Sequence, residues 1–152
     1  HMPEFGRYYE DFEVGQIIKH SASKTILESD NNLFCLLTMD HNPLHLDKEY
    51  ARHYPYNGLI VVGTLVFSVV VGFSVADISG KAIANLDYED VKHIKPVFIG
   101  DTLRAETEIL EKRESKSKND RGIVHVMTRA YNQNNEMVLS LRRHVLIPKK
   151  TV

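Results

Sequence analysis

The chain has 152 residues, 43% of them apolar, enough for one domain with a real core and too few for two comfortable ones. Nineteen lysines and arginines stand against twenty acids with no long run of either sign, which excludes a nucleic-acid footprint or a polybasic membrane patch and leaves a small molecule or a second copy as the expected partner. The single cysteine, Cys35, cannot close an internal disulfide, and no secretory leader pattern opens the chain, so a cytoplasmic location is expected.

His1-Met2 reads as a cloning remnant, and the domain is expected over residues 3–150. Between Thr25 and Met39, Ile26, Leu27, Leu33, Phe34, Leu36 and Leu37 suggest a short helix with Ser29 or Asp30 as its N-cap and Cys35 on its apolar side. Buried cysteine is usually inert. A second short helix, capped by Asp47, is expected through Tyr50 to His53. Leu59 to Ala76 is a long apolar run, but Gly63, Thr64, Ser68, Gly72 and Ser74 interrupt it, no aromatic belt flanks it, and it falls short of the roughly 20 residues a bilayer requires. It exceeds the usual strand length, so it is predicted to be a helix, apolar all round and therefore buried.

Ala82 to Val91 is expected to be a strand ending before Pro96. From Thr102 to Leu110, Leu103, Ala105, Thr107 and Ile109 alternate with Arg104, Glu106 and Glu108, the period of a strand with one wet face. Arg113 to Arg121 reads as a solvated loop; beyond it, Ile123 to Tyr131 and Met137 to Ile147 form a hairpin across Asn132-Gln133-Asn134-Asn135. A helical first half and a meandering antiparallel second half define the α+β class.

The chemistry concentrates in Met39-Asp40-His41-Asn42-Pro43-Leu44-His45-Leu46-Asp47. Pro43 removes a donor and pushes Asn42 toward extended geometry, so the segment must turn. Asn42 can lock that turn through its own backbone, presenting Asp40 and His45 together. Three readings compete: polar groups beside short helices; metal ligation by Asp40, His41, His45 and Asp47; or an acid/base pair, Asp40 and His45, holding one water. Metal ligation needs His41 and His45 on one unbroken helix face, and Pro43 breaks it.

These residues resemble the signature of the MaoC-like, or hydratase 2, family, matching at Asp40, Asn42, Pro43, Leu44, His45 and Asp47. The opening Tyr8-Tyr9-Glu10-Asp11-Phe12-x-Val14-Gly15 and Pro96-Val97-Phe98-x-Gly100-Asp101-Thr102-Leu103 are similar to further family segments. The resemblance implies a hot-dog fold, an antiparallel sheet wrapped around the long apolar helix. It implies Asp40 and His45 as catalytic pair, Asn42 as support, and a backbone donor at Gly63 that polarises a thioester carbonyl. Gly63 and Gly72 would alternatively serve close helix–sheet packing. Met39 stands where the family usually has glycine, and Val62 where many members have histidine.

The implied activity is reversible hydration of a 2-enoyl-CoA to a 3-hydroxyacyl-CoA, without cofactor or metal, in a homodimer joined at sheet edges. Ala84-Asn85-Leu86-x-Tyr88-Glu89-Asp90-Val91 and Leu110-Glu111-Lys112-Arg113-Glu114-Ser115 resemble the mesaconyl- or itaconyl-CoA hydratase branch, implying a short, branched or dicarboxylic acyl group. Arg52, Arg142 and Arg143 are candidate partners for a second carboxylate. Lys92, Lys95 and Lys116 are candidates for a basic patch toward an acidic carrier protein, although coenzyme A is the expected carrier. His20, His53, His93, His125 and His144 share no spacing with a nucleophile or carboxylate and read as structural or solvated. A hot-dog thioesterase is disfavoured because no acid occurs from Leu59 to Ala76, and Asp77 lies at the far end. A non-catalytic thioester-binding subunit remains an alternative.

Overall fold

The computed structural model describes residues 4–151; His1 and Met2, read above as a remnant, lie outside them. The elements, after a 3-10 turn at Tyr9–Asp11, are β1 (Ile17–Thr25), α1 (Glu28–Thr38), α2 (Pro43–Leu46), α3 (Lys48–Ala51), α4 (Gly63–Ser74, continued by a π-turn at Val75–Ser79), β2 (Ala84–His93), β3 (Thr102–Glu114), β4 (Arg121–Tyr131) and β5 (Met137–Pro148). The strands form one antiparallel sheet in the order β1-β3-β4-β5-β2. It wraps around α4, giving the expected α+β hot-dog arrangement.

Alternation dictates the sheet's two faces. Leu103, Ala105, Thr107 and Ile109 of β3 point inward and are buried, as are Val124, Val126, Thr128 and Ala130 of β4. Leu65, Val66, Val70 and Phe73 of α4 pack against Leu103, Ala105, Ala130, Leu139 and Leu141. A second apolar cluster, around Phe12, Ile78, Ile109, Val124 and Ile147, closes the other end. No helix among the described residues is long and apolar enough to cross a membrane.

Several expectations need correction. The helix predicted from Leu59 begins only at Gly63, because the preceding residues pair instead with the segment before β3: Val61 N–H donates to Val97 O at 2.7 Å, and Ile60 bridges Phe98. The helix is also not buried all round. Thr64, Ser68, Gly72 and Ala76, one turn apart, form an exposed stripe, and a Cβ on Gly72 would touch nothing within 4 Å, so Gly72 does not serve close packing here. The N-cap of α1 is Leu27, not Ser29 or Asp30. Asp30 acts from inside the first turn, its carboxylate accepting the Leu27 N–H at 2.8 Å. Helix α1 buries Asn31 and Cys35 but exposes Leu33, Leu36 and Leu37.

β1 is absent from the sequence reading. Only Ile18 and His20 of its residues are buried, so its apolar alternation is too sparse to register, and pairing with β3 creates the strand. The expected loop Arg113–Arg121 shrinks to Ser115–Asp120, because β3 and β4 pair out to Glu114 and Gly122 despite the charged side chains.

Candidate active site

Helix α1 ends at Met39, which adopts a left-handed conformation (φ 64°, ψ 18°), explaining why glycine is common at this position of the resembled family. Asp40 follows, its N–H bonded to Cys35 O at 3.1 Å. Asn42 then caps α2, its side-chain oxygen accepting the Leu44 N–H at 3.0 Å, with Pro43 at the first helical position where the lost donor is harmless. Asp47 caps α3 through the Tyr50 N–H at 3.0 Å, as expected, although α3 stops at Ala51. His41 and His45 share no continuous helix, in keeping with the break expected at Pro43.

The His45 imidazole is held by Nδ1, which donates to Ile60 O at 2.8 Å. A carbonyl can only accept, so Nδ1 carries a hydrogen, and in the neutral ring Nε2 is then the nitrogen with a lone pair. The ring lines a cavity of about 250 Å³ together with Tyr56, Gly63, Val66, His93 and Lys95. At the start of α4, Val62 N–H is taken by Asn31, while Leu65 and Val66 N–H both turn back to Val62 O. Among the described residues no acceptor meets the Gly63 or Thr64 N–H. The cavity is thus lined by a residue of the helix start, Gly63, whose N–H has no partner among the described residues.

His45 and Gly63 are therefore brought together. Asp40 and Asn42 are not among the residues lining the cavity. Asp40 is half-buried at the start of the same turn, bonded to the Asn42 N–H at 3.4 Å, with no direct hydrogen bond to His45. Its charge reaches Cys35, whose thiol pKa is raised by burial and by Asp40; Cys35 is fully buried, as expected of an inert core thiol.

Asn31 is the residue that sequence reasoning missed. Fully buried, it donates through Nδ2 to His45 O and accepts the Val62 N–H through Oδ1, both at 3.0 Å. One amide thus ties the His45 turn to the first turn of α4. No signal in the sequence singles it out, because Glu28, Ser29, Asp30 and Asn32 around it are also polar and Leu33, Leu36 and Leu37 of the same helix face outward. His93 was also undervalued: a Cβ on Gly63 would lie 2.9 Å from its Cε1 and 3.0 Å from its Nε2, so its ring covers the helix start.

The arginines expected to meet a second carboxylate lie elsewhere. Arg52 pairs with Glu49 on α3. Arg142 points toward Asp90, with 4.0 Å between nitrogen and oxygen. Arg143 is buried at the opposite end of α4, donating to Ser74, Ser79 and Asn85. Lys95, bonded to Glu136, is the cation that lines the cavity with His93. Lys92 lies near it on β2, whereas Lys116 sits in the β3–β4 hairpin loop, at the other end of the sheet. His20 is buried between Asp77 and Thr107, each 2.7 Å away, and Asp77 is thus engaged far from Gly63.

A hot-dog sheet around a helix whose first turn faces a histidine-lined cavity defines the class. The MaoC like domain matches residues 11–131, and the chain belongs to that family. Over 145 residues, 95% of this chain, it is 37% identical to a mesaconyl-CoA hydratase of Cereibacter sphaeroides, covering 42% of that protein. It is 31% identical to an (R)-specific enoyl-CoA hydratase of Aeromonas caviae, covering 91% of this chain and 98% of the relative. A solved MaoC domain protein of Chloroflexus aurantiacus superposes with a TM-score of 0.93 at 33% identity, covering 98% of this chain and 42% of that one. The chain thus spans less than half the length of the mesaconyl-CoA hydratase it matches.

Proposed function

We propose that the chain hydrates a 2-enoyl-CoA reversibly to the 3-hydroxyacyl-CoA, with Asp40 and His45 activating the water. The observation that carries this reading is the His45 ring, fixed through Nδ1, lining one cavity with Gly63, whose N–H has no partner among the described residues. In the forward direction the water, oriented by Nε2 of His45, adds its oxygen to the β-carbon as the Asp40 carboxylate, turned from its place on the same turn toward the cavity that it does not line here, takes its proton. Charge then builds on the thioester oxygen, where the Gly63 N–H and the helix start stabilise it. Asp40 returns the proton to the α-carbon, so the elements of water are added without net change in the protein. Asn42 contributes by holding the turn.

The acyl group is proposed to be short, and a second carboxylate on it would meet Lys95 and His93 rather than any of the three arginines. Two features support a homodimer. β2 has an unpaired edge with Leu86, Tyr88 and Val91 exposed, and the exposed stripe of α4 lies on the same molecule. His93, at the end of β2, lines the cavity, so a partner at that edge would adjoin the site.

The test follows thioester absorbance with crotonyl-, hexenoyl-, mesaconyl- and itaconyl-CoA while monitoring free thiol. Loss of the conjugated enoyl signal without thiol release is expected; thiol release would mean a thioesterase, and silence across the panel would leave a different acyl group or a non-catalytic binding subunit. Asp40→Asn and His45→Ala should each lower turnover by about 10²–10⁴-fold, with the double variant little worse than either single one. Undiminished turnover in both would remove the mechanism.

A further inference from the structure

On the outer face of the sheet, away from α4, four strands bring acids and imidazoles into one row. Asp87 of β2 is opposite His144 of β5, His144 is opposite His125 of β4, and His125 is opposite Glu111 of β3. The two imidazoles stack with centroids 3.9 Å apart and planes within 2°. His125 Nε2 lies 2.5 Å from a Glu89 carboxylate oxygen. One ligand atom from each of Glu89, His125 and His144 lies within 4.8 Å of the others. No sequence spacing links these histidines to a carboxylate, as read above; residues far apart along the chain meet here only through strand register.

We propose that Glu89, His125 and His144 form a site for a divalent transition-metal ion such as Zn²⁺. Two imidazoles and one carboxylate are the ligand types such ions take, and a fourth position stays open to water. Asp87 supplies the outer support: both its oxygens lie 3.0 Å from His144 Nδ1. That contact fixes the hydrogen on Nδ1 and leaves Nε2 as the coordinating nitrogen, as outer carboxylates do for metal-bound histidine. The charge balance also favours a cation. Asp87, Glu89 and Glu111 surround the two rings, with Arg113 as the guanidinium lining the same cleft.

Access and movement are compatible with binding. The side chains of His125, His144 and Glu89 are 17%, 31% and 39% exposed, so an ion can reach them without unfolding. Bringing both nitrogens onto one ion requires the rings to open from their parallel stack, a rotation that partly exposed side chains can make. The ligands themselves sit on paired strands, which limits any further rearrangement.

The experiment titrates chelator-treated protein calorimetrically with Zn²⁺ and records the visible spectrum with Co²⁺. One strong site per chain is expected, with the intense absorption of low-coordinate Co²⁺. His125→Gln with His144→Gln should abolish that site, and Asp87→Asn should weaken it by about 10–100-fold. A His41→Gln, His53→Gln control should leave it intact. Circular dichroism confirms that each variant is folded. Absence of a strong site in the parent protein, or its retention after both sheet histidines are replaced, would overturn the proposal.

Discussion

Replacing Asn31 by alanine should uncouple the two halves of the candidate site. The Asn31 amide occupies a fully buried position and makes two hydrogen bonds, to His45 O and from Val62 N–H. Each bond contributes about 1 kcal/mol net, and each buried group left unsatisfied costs about 1–3 kcal/mol. Because those figures overlap, and water can enter a partly opened site, the expected destabilisation is about 2–4 kcal/mol. It would be read as a lower urea midpoint with an unchanged slope. Activity should fall further than stability explains, since misplacing a catalytic group by about 1 Å can cost roughly 10²-fold. Enoyl-CoA hydration at a denaturant-free temperature well below the melting transition measures that term separately. Unchanged kcat alongside lost stability would reduce Asn31 to a core residue, and an unchanged midpoint would refute the hydrogen-bond argument itself.

Three further outcomes follow from single residues. Met39 is 80% exposed at φ 64°, so Met39→Gly relieves about 1–2 kcal/mol of left-handed strain against up to about 1 kcal/mol of added unfolded-state entropy; the urea midpoint should rise slightly or hold, and a clear fall would contradict the strain. Arg143 is buried without a carboxylate, its Nε unbonded among the described residues and its pKa lowered by desolvation. Arg143→Ala should cost about 2–4 kcal/mol, while Arg143→Met, which fills the space without burying charge, should cost markedly less; thermal melts in which methionine proves the worse would oppose this reading. Asp30 has its pKa held down by the Leu27 N–H and then by Lys24. Its contribution is therefore present above the ordinary carboxylate range and is lost as pH falls through its lower folded value. The gap between parent and Asp30→Ala melts should close in acid, and a gap that widened there would reverse the sign.

Much of this protein is legible in its sequence. Strand β3 declared itself because Leu103, Ala105, Thr107 and Ile109 alternate with charges, and burial follows that alternation. Pro43 announced the turn, and Asp47 the cap that starts α3, because both act on backbone within a few residues. Local chemistry determined these features. What tertiary structure alone decided involves partners distant in sequence. β1 exists because β3 supplies its hydrogen bonds, not because its own residues alternate strongly. Asn31 gains its role from His45 and Val62, and His93 from Gly63. His125 and His144 become a stacked pair only once β4 and β5 settle into register. A sequence specifies which groups each residue offers; the folded sheet decides which of them meet.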